Sequence, residues 1–144
     1  RRFESTLPKL CNMMISVQQE VQKNGKIYTA FGRPLYIPRS HSYMGVNYLI
    51  QGTAAEMLKR AQVRVHDFLR KDTSDEVRLL LPIHDEIIFE FPRKRLGEAP
   101  AIVKNIIHLM TDFPGRFKVP LLADVSIATV DWAHKTKWEG WKVA

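Results

Sequence analysis

Cysteine is nearly absent from this chain of 144 residues, where Cys11 stands alone. A single cysteine excludes an intramolecular disulfide framework and any multi-cysteine zinc site, and it fits a reducing compartment. No apolar run approaches the roughly 18 residues that suggest a membrane span, so no membrane partner is expected. The N-terminus, Arg1-Arg2-Phe3-Glu4, has neither an initiator methionine nor the apolar stretch of a signal peptide. It reads as the start of a fragment or a processed product. Repeats and low-complexity tracts are also missing. With 45% hydrophobic and 26% charged residues, the composition excludes a disordered tail, a collagen-like fibre and a coiled coil.

What the chain does have is positive charge. Lys and Arg number 22 against 15 Asp and Glu, a formal net charge of +7. A small basic protein commonly meets a polyanion, nucleic acid first and an anionic membrane surface second. Plain solubility would account for the same charge.

The hydrophobic spacing predicts α+β architecture. Phe3, Leu7, Leu10, Met14, Val17 and Val21 form one stripe of a helix from Ser5 to Gly25. Ser5 or Thr6 is suited to cap it, Pro8 to open it and Gly25 to close it. Lys26 to Phe31 and Leu35 to Ile37 predict a short hairpin, followed by a loop from Arg39 to Gly45. A long helix is expected from about Val46 to Lys71. Ile50, Ala54, Met57, Leu58, Ala61, Val65 and Phe68 would be its apolar face, and Lys59, Arg60, Arg64, Arg70 and Lys71 its basic side. Val77–Ile83 and Ile87–Phe91 predict a second hairpin, with Pro82 at an edge or bulge. A third helix from Glu98 to Phe113 and a last strand from Leu121 to Val130 complete the order. Trp132, Trp138 and Trp141 would pack the tail onto the body, and Cys11 would be a small core residue.

Three features carry chemistry. His84-Asp85-Glu86 places two acids and a histidine at the tip of an apolar hairpin. Read functionally, a carboxylate on a rigid strand pair can hold magnesium together with water and substrate phosphates. Read plainly, it is a solvated turn. Asn47 and Gln51 stand four apart on one helix face, ahead of the small residues Gly52, Thr53, Ala54 and Ala55. A cap and a solvated amide are the ordinary account. Tyr28 to Pro38, with Arg33 among aromatics, is suited to a phosphate backbone or to a plain surface hairpin. His41, His66, His108 and His134 show no metal spacing with one another.

Together and in this order, these segments resemble the C-terminal end of family A DNA polymerases, the bacterial DNA polymerase I type. Tyr28 to Pro38 resembles the family's T-x-F-G-R-R-R-Y-x-P segment. Asn47 to Glu56 resembles its N-x-P-I-Q-G-T-A-A-D helix, and Leu81 to Glu90 its motif C hairpin, L-Q-V-H-D-E-L-V-F-E. Val119-Pro120-Leu121 to Trp132 resembles its closing V-P-L…D-W strand.

The resemblance implies an antiparallel palm sheet whose motif C hairpin packs against long helices. Residues 1–144 would be the C-terminal palm and base-of-fingers part of a right-hand polymerase. It implies DNA-directed DNA polymerase activity by two-metal phosphoryl transfer with Mg2+. Asp85 would be a catalytic metal ligand, Glu86 would support it, and His84 would contact the primer end. Asn47 and Gln51 would enter the minor groove from the same side of the molecule as Asp85, where acceptors sit at comparable places in every base pair. Arg33 would contact DNA. The implied partners are primer-template DNA, a deoxynucleoside triphosphate and a missing upstream polymerase segment. The implied location is the cytoplasm of a bacterium or phage-infected cell, near the nucleoid.

The sequence also departs from the family pattern. Pro82 replaces a polar residue, Leu49 stands where proline is usual, and only residues 39–46 separate Pro38 from Asn47. These departures suggest a divergent, phage-like member. No segment resembles the first palm aspartate motif, D-Y-S-Q-I-E-L-R, or the fingers helix, and no thumb is recognised. The chain is therefore expected to be one part of a polymerase, fragment or split subunit, and inactive alone. Two alternatives stand beside this: a non-enzymatic basic nucleic-acid-binding module, and an HD-type phosphohydrolase, which would carry His84-Asp85 on a helix.

Overall fold

The computed structural model describes residues 5–138. The chain divides into two compact units, residues 1–57 and 58–144.

In the first unit, helix α1 spans Pro8–Asn24. Proline serves as its opening residue because the first helical N–H has no intrahelical acceptor to lose. The N-cap position falls on Leu7, whose side chain makes no cap bond, rather than on Ser5 or Thr6. Gly25 ends it at φ = 66°, a left-handed conformation glycine adopts without a Cβ penalty. Its N–H donates to the Val21 carbonyl at 2.8 Å.

The chain then forms an antiparallel hairpin, β1 (Lys26–Tyr28) and β2 (Pro34–Tyr36), with Ile27 opposite Leu35. Val21, Ile27 and Ile37 are its buried core, covered by Val17, Leu35 and Leu49. Among the described residues the predicted apolar stripe of α1 thus packs at Val17 and Val21, while Leu7, Leu10 and Met14 are exposed. Phe3 lies outside the described residues.

The predicted loop after Pro38 is a 3-10 turn, Arg39–Met44. The His41 N–H donates back to the Pro38 carbonyl and tightens it. Helix α2 follows without a break, Gly45–Asp72. Its start lies so close to α1 that a Cβ at Gly45 would come within 3.0 Å of Val17 Cγ1.

In the second unit the later turns of α2 bury Ala61, Val65 and Leu69. The predicted face is therefore right toward the C-terminal half and wrong at its start, where Ile50 is 60% exposed and Ala54 is exposed. Leu49, one residue away, turns to the first unit's core instead.

The Thr73 hydroxyl donates to the Leu69 carbonyl and closes the helix. Strands β3 (Arg78–Ile83) and β4 (Glu86–Glu90) then pair antiparallel, with a bulge between Leu79 and Leu81. Pro82 is tolerated because each strand of a two-stranded sheet is an edge. Helix α3 spans Ala99–Thr111. Val65, Leu69, Val77, Ile102 and Ile106 form the core, and Leu79, Phe89 and Phe91 of the hairpin pack against it. Arg64 of α2 caps the end of α3, donating to the carbonyls of Asp112 (2.8 Å) and Leu109, with its guanidinium over the Phe113 ring.

The predicted strand Leu121–Val130 shrinks to β5, Ser126–Ile127, paired with β6, Thr136–Lys137. A strand needs a partner along its length. Among the described residues only these two find one, and Leu122 is left 90% exposed. Trp132 is half-exposed rather than packed on the body, while the Trp138 N–H donates to the Val125 carbonyl. Trp141 lies outside the described residues. The fold is α+β as expected, its strands forming three small antiparallel pairs with the β3–β4 hairpin packed on long helices.

Candidate active-site hairpin and nucleic-acid interface

The β3–β4 hairpin is built to present its tip. Leu79 and Phe89 face each other in register and anchor the base on the core. At the far end Ile83 pairs with Glu86, leaving His84 and Asp85 as the two-residue turn. His84 has φ = 51°. The turn types that match the twist of a two-residue hairpin require positive φ at their first central residue, and histidine tolerates it better than most.

Asp85 is therefore held at an apex by backbone geometry rather than by side-chain contacts. It is exposed, and no side chain among the described residues pairs with its carboxylate. Glu86 differs: its Oε1 accepts from Lys135 Nζ at 2.6 Å. The site thus offers one free carboxylate and one engaged carboxylate, hard oxygen donors suited to a divalent cation such as magnesium. No group of three or more His, Cys, Asp and Glu that could hold a metal occurs among the described residues. Strand geometry at residues 78–91 also removes the HD-type phosphohydrolase reading, which needs His84-Asp85 on a helix.

Arg33, Asn47 and Gln51 all lie in the first unit. Asn47 and Gln51 are exposed, one turn apart on α2. Arg33 is exposed in the turn joining β1 to β2.

That turn is fastened to α2 by contacts that hydrophobic spacing does not reveal. The Thr29 hydroxyl donates to Glu56 Oε2 at 2.6 Å and accepts from the N–H groups of Phe31 and Arg33. The Ala30 N–H donates to Thr53 Oγ1 at 3.2 Å. Gly52 lets the hairpin approach, since a Cβ there would lie 2.7 Å from Leu35 Cδ1. The two sequence segments that carry Arg33 and Gln51 are thus one structural piece. No helix among the described residues is long and apolar enough to cross a membrane.

Comparison with known proteins shows the family. The model of DNA polymerase family A matches residues 1–134. The thermostable DNA polymerase I of Thermus thermophilus is 30% identical over 141 residues, covering 91% of this chain and 16% of that protein. The DNA polymerase of Mycobacterium phage L5 is 33% identical over 113 residues, covering 78% of this chain and 18% of that one. The chain therefore spans less than a fifth of the length of these relatives. Among solved structures, the POL domain of Pol1 from M. smegmatis, in complex with DNA primer-template and dNTP, superposes with a TM-score of 0.59 at 28% identity. That superposition covers 69% of this chain and 19% of the other. The chain belongs to DNA polymerase family A.

Proposed function

We propose that these residues are the C-terminal palm part of a DNA-directed DNA polymerase, contributing one catalytic carboxylate and a set of DNA contacts. The observation that carries the reading is Asp85, exposed and without a side-chain partner among the described residues, at the apex of a hairpin whose base is fixed in a hydrophobic core. Asp85 is the residue of this chain that would hold Mg2+, and Glu86 stands beside it. Bound divalent ions would supply Lewis-acid stabilisation of the attacking and leaving oxygens.

The partners are primer-template DNA and a deoxynucleoside triphosphate, the ligands with which the M. smegmatis relative was solved. The exposed amides of Asn47 and Gln51 can donate to minor-groove acceptors without reading sequence. Arg33 would contact the phosphate backbone and His84 the primer end. A single free carboxylate cannot place two ions, so a second palm aspartate has to come from a segment outside these residues.

Primer extension by the complete polymerase, with and without Asp85→Asn, tests the reading. Asparagine keeps the shape of the side chain and removes its charge. Turnover is expected to fall by about a thousandfold or more, the scale at which an essential electrostatic group acts. Duplex affinity should hold, because it comes mainly from Lys and Arg contacts to phosphate. Near-normal turnover in the variant, or metal-dependent extension by the 144-residue chain alone, would overturn the reading.

A further inference from the structure

Asp85 and Glu86 are adjacent carboxylates at one hairpin tip, yet the structure treats them differently. Lys135 Nζ lies 2.6 Å from Glu86 Oε1, across 49 residues of sequence. Lys135 itself is held on both sides. Just before it, the 3-10 turn Trp132–His134 is capped by Asp131, whose Oδ1 accepts from the His134 N–H at 3.0 Å and lies 2.7 Å from His134 Nδ1. Just after it, β6 begins and Thr136 pairs with Ile127 of β5. The ammonium also sits 5.5 Å from the centroid of the half-exposed Trp132 ring, within cation–π range.

An exposed ion pair of this kind adds little to fold stability. Its consequence is local: it decides which of two neighbouring carboxylates is available to a cation. We propose that Lys135 is a positioning residue that engages Glu86 and leaves Asp85 as the metal carboxylate of this chain. Trp132 and the Asp131-capped turn present the ammonium. The proposal rests on the polymerase reading of Asp85. Without Lys135, Glu86 is free to join the cation site, so metal should bind more tightly in a geometry less suited to turnover.

A double-variant cycle in the complete polymerase tests this, with Mn2+ as the probe and free Mn2+ read by electron paramagnetic resonance. Lys135→Met is expected to tighten Mn2+ binding about threefold or more, and the change should fall below about twofold in a Glu86→Gln background. The kcat for primer extension should drop about fivefold with Lys135→Met, again only while Glu86 is present. Lys135→Arg should restore both quantities. Trp132→Leu, which keeps every charge, should shift Mn2+ binding in the same direction as Lys135→Met and guards against a misfolded lysine variant.

Unchanged Mn2+ binding in Lys135→Met and Trp132→Leu, or equal shifts in both Glu86 backgrounds, would overturn the proposal. Extension by the unsubstituted enzyme reports on the polymerase assignment separately, and the Mn2+ cycle decides the Lys135 question whether or not extension is seen.

Discussion

Thr29 donates its hydroxyl hydrogen to the Glu56 carboxylate at 2.6 Å, and both residues are buried. The same hydroxyl accepts from two backbone N–H groups of the β1–β2 turn, so one side chain sets the turn and ties it to α2. Buried polar groups of this kind are costly when left unmatched, which makes the bond a constraint on where Arg33 sits.

Thr29→Val keeps the shape and removes the hydroxyl. The expected cost is about 1–3 kcal/mol, that of depriving buried groups of a hydrogen bond. Hydrogen exchange over residues 26–37 should accelerate by the corresponding factor, and Thr29→Ser should recover most of the protection. Unchanged exchange in Thr29→Val would show that the hydroxyl is dispensable.

The positive φ of His84 separates two roles of that residue. Asparagine tolerates the left-handed region, whereas a β-branched side chain does not. His84→Val should therefore weaken the hairpin by about 1–2 kcal/mol, visible as faster exchange across residues 78–91. His84→Asn should leave exchange nearly unchanged while removing the imidazole. If the ring contacts the primer end, extension falls in His84→Asn with the hairpin intact. Normal extension in that variant would confine His84 to turn geometry.

Acid should act on the second unit through Glu76 and Glu98. Lys94, ahead of Arg95, holds the Glu76 carboxyl below its ordinary value of 4.5, and Arg95 does the same for Glu98. A carboxylate whose folded value is depressed contributes stability above its unfolded value and loses it as pH falls through the folded value. Both glutamates are substantially exposed, so the contribution is small. Thermal melts of the native protein and of Glu76→Gln should differ at neutral pH and converge as pH drops below about 4.5. A gap that widens in acid would contradict the assigned direction.

Much of this could be read from local pattern. The tip at His84-Asp85 was legible because apolar runs flank a short polar break, and Gly25 because a stripe ends on glycine. The partner of Glu86 was not: Lys135 lies 49 residues away, and an exposed lysine carries no pairing signal. Glu56 looks like one more polar residue on an amphipathic helix, and its burial depends on a hairpin 27 residues earlier. The strand expected at 121–130 failed for a related reason. β-prone residues report a tendency, but a strand forms only where another supplies hydrogen bonds, and here that holds for Ser126–Ile127. Ile50 fits the helical period and is nonetheless exposed, because the period says which residues align and not how far along the helix they are covered.

Salt dependence separates the two kinds of DNA contact proposed for the first unit. On the proposed reading Arg33 would act through charge on a phosphate, and a contact of that kind releases counterions when it forms. Arg33→Ala should weaken duplex binding whatever the sequence and reduce the slope of log affinity against log salt by about 0.9. Asn47 and Gln51 are neutral donors, so Asn47→Ala and Gln51→Ala should leave that slope unchanged. If they enter the minor groove as proposed, their loss should appear instead as slower extension from a correctly paired primer end, because the acceptors there occur in every pair. Fluorescence anisotropy across a salt series, paired with single-turnover extension on the same primer, measures both. A change of slope in the amide variants, or an unchanged slope in Arg33→Ala, would reverse the assignment of positioning and charge between α2 and the β1–β2 turn.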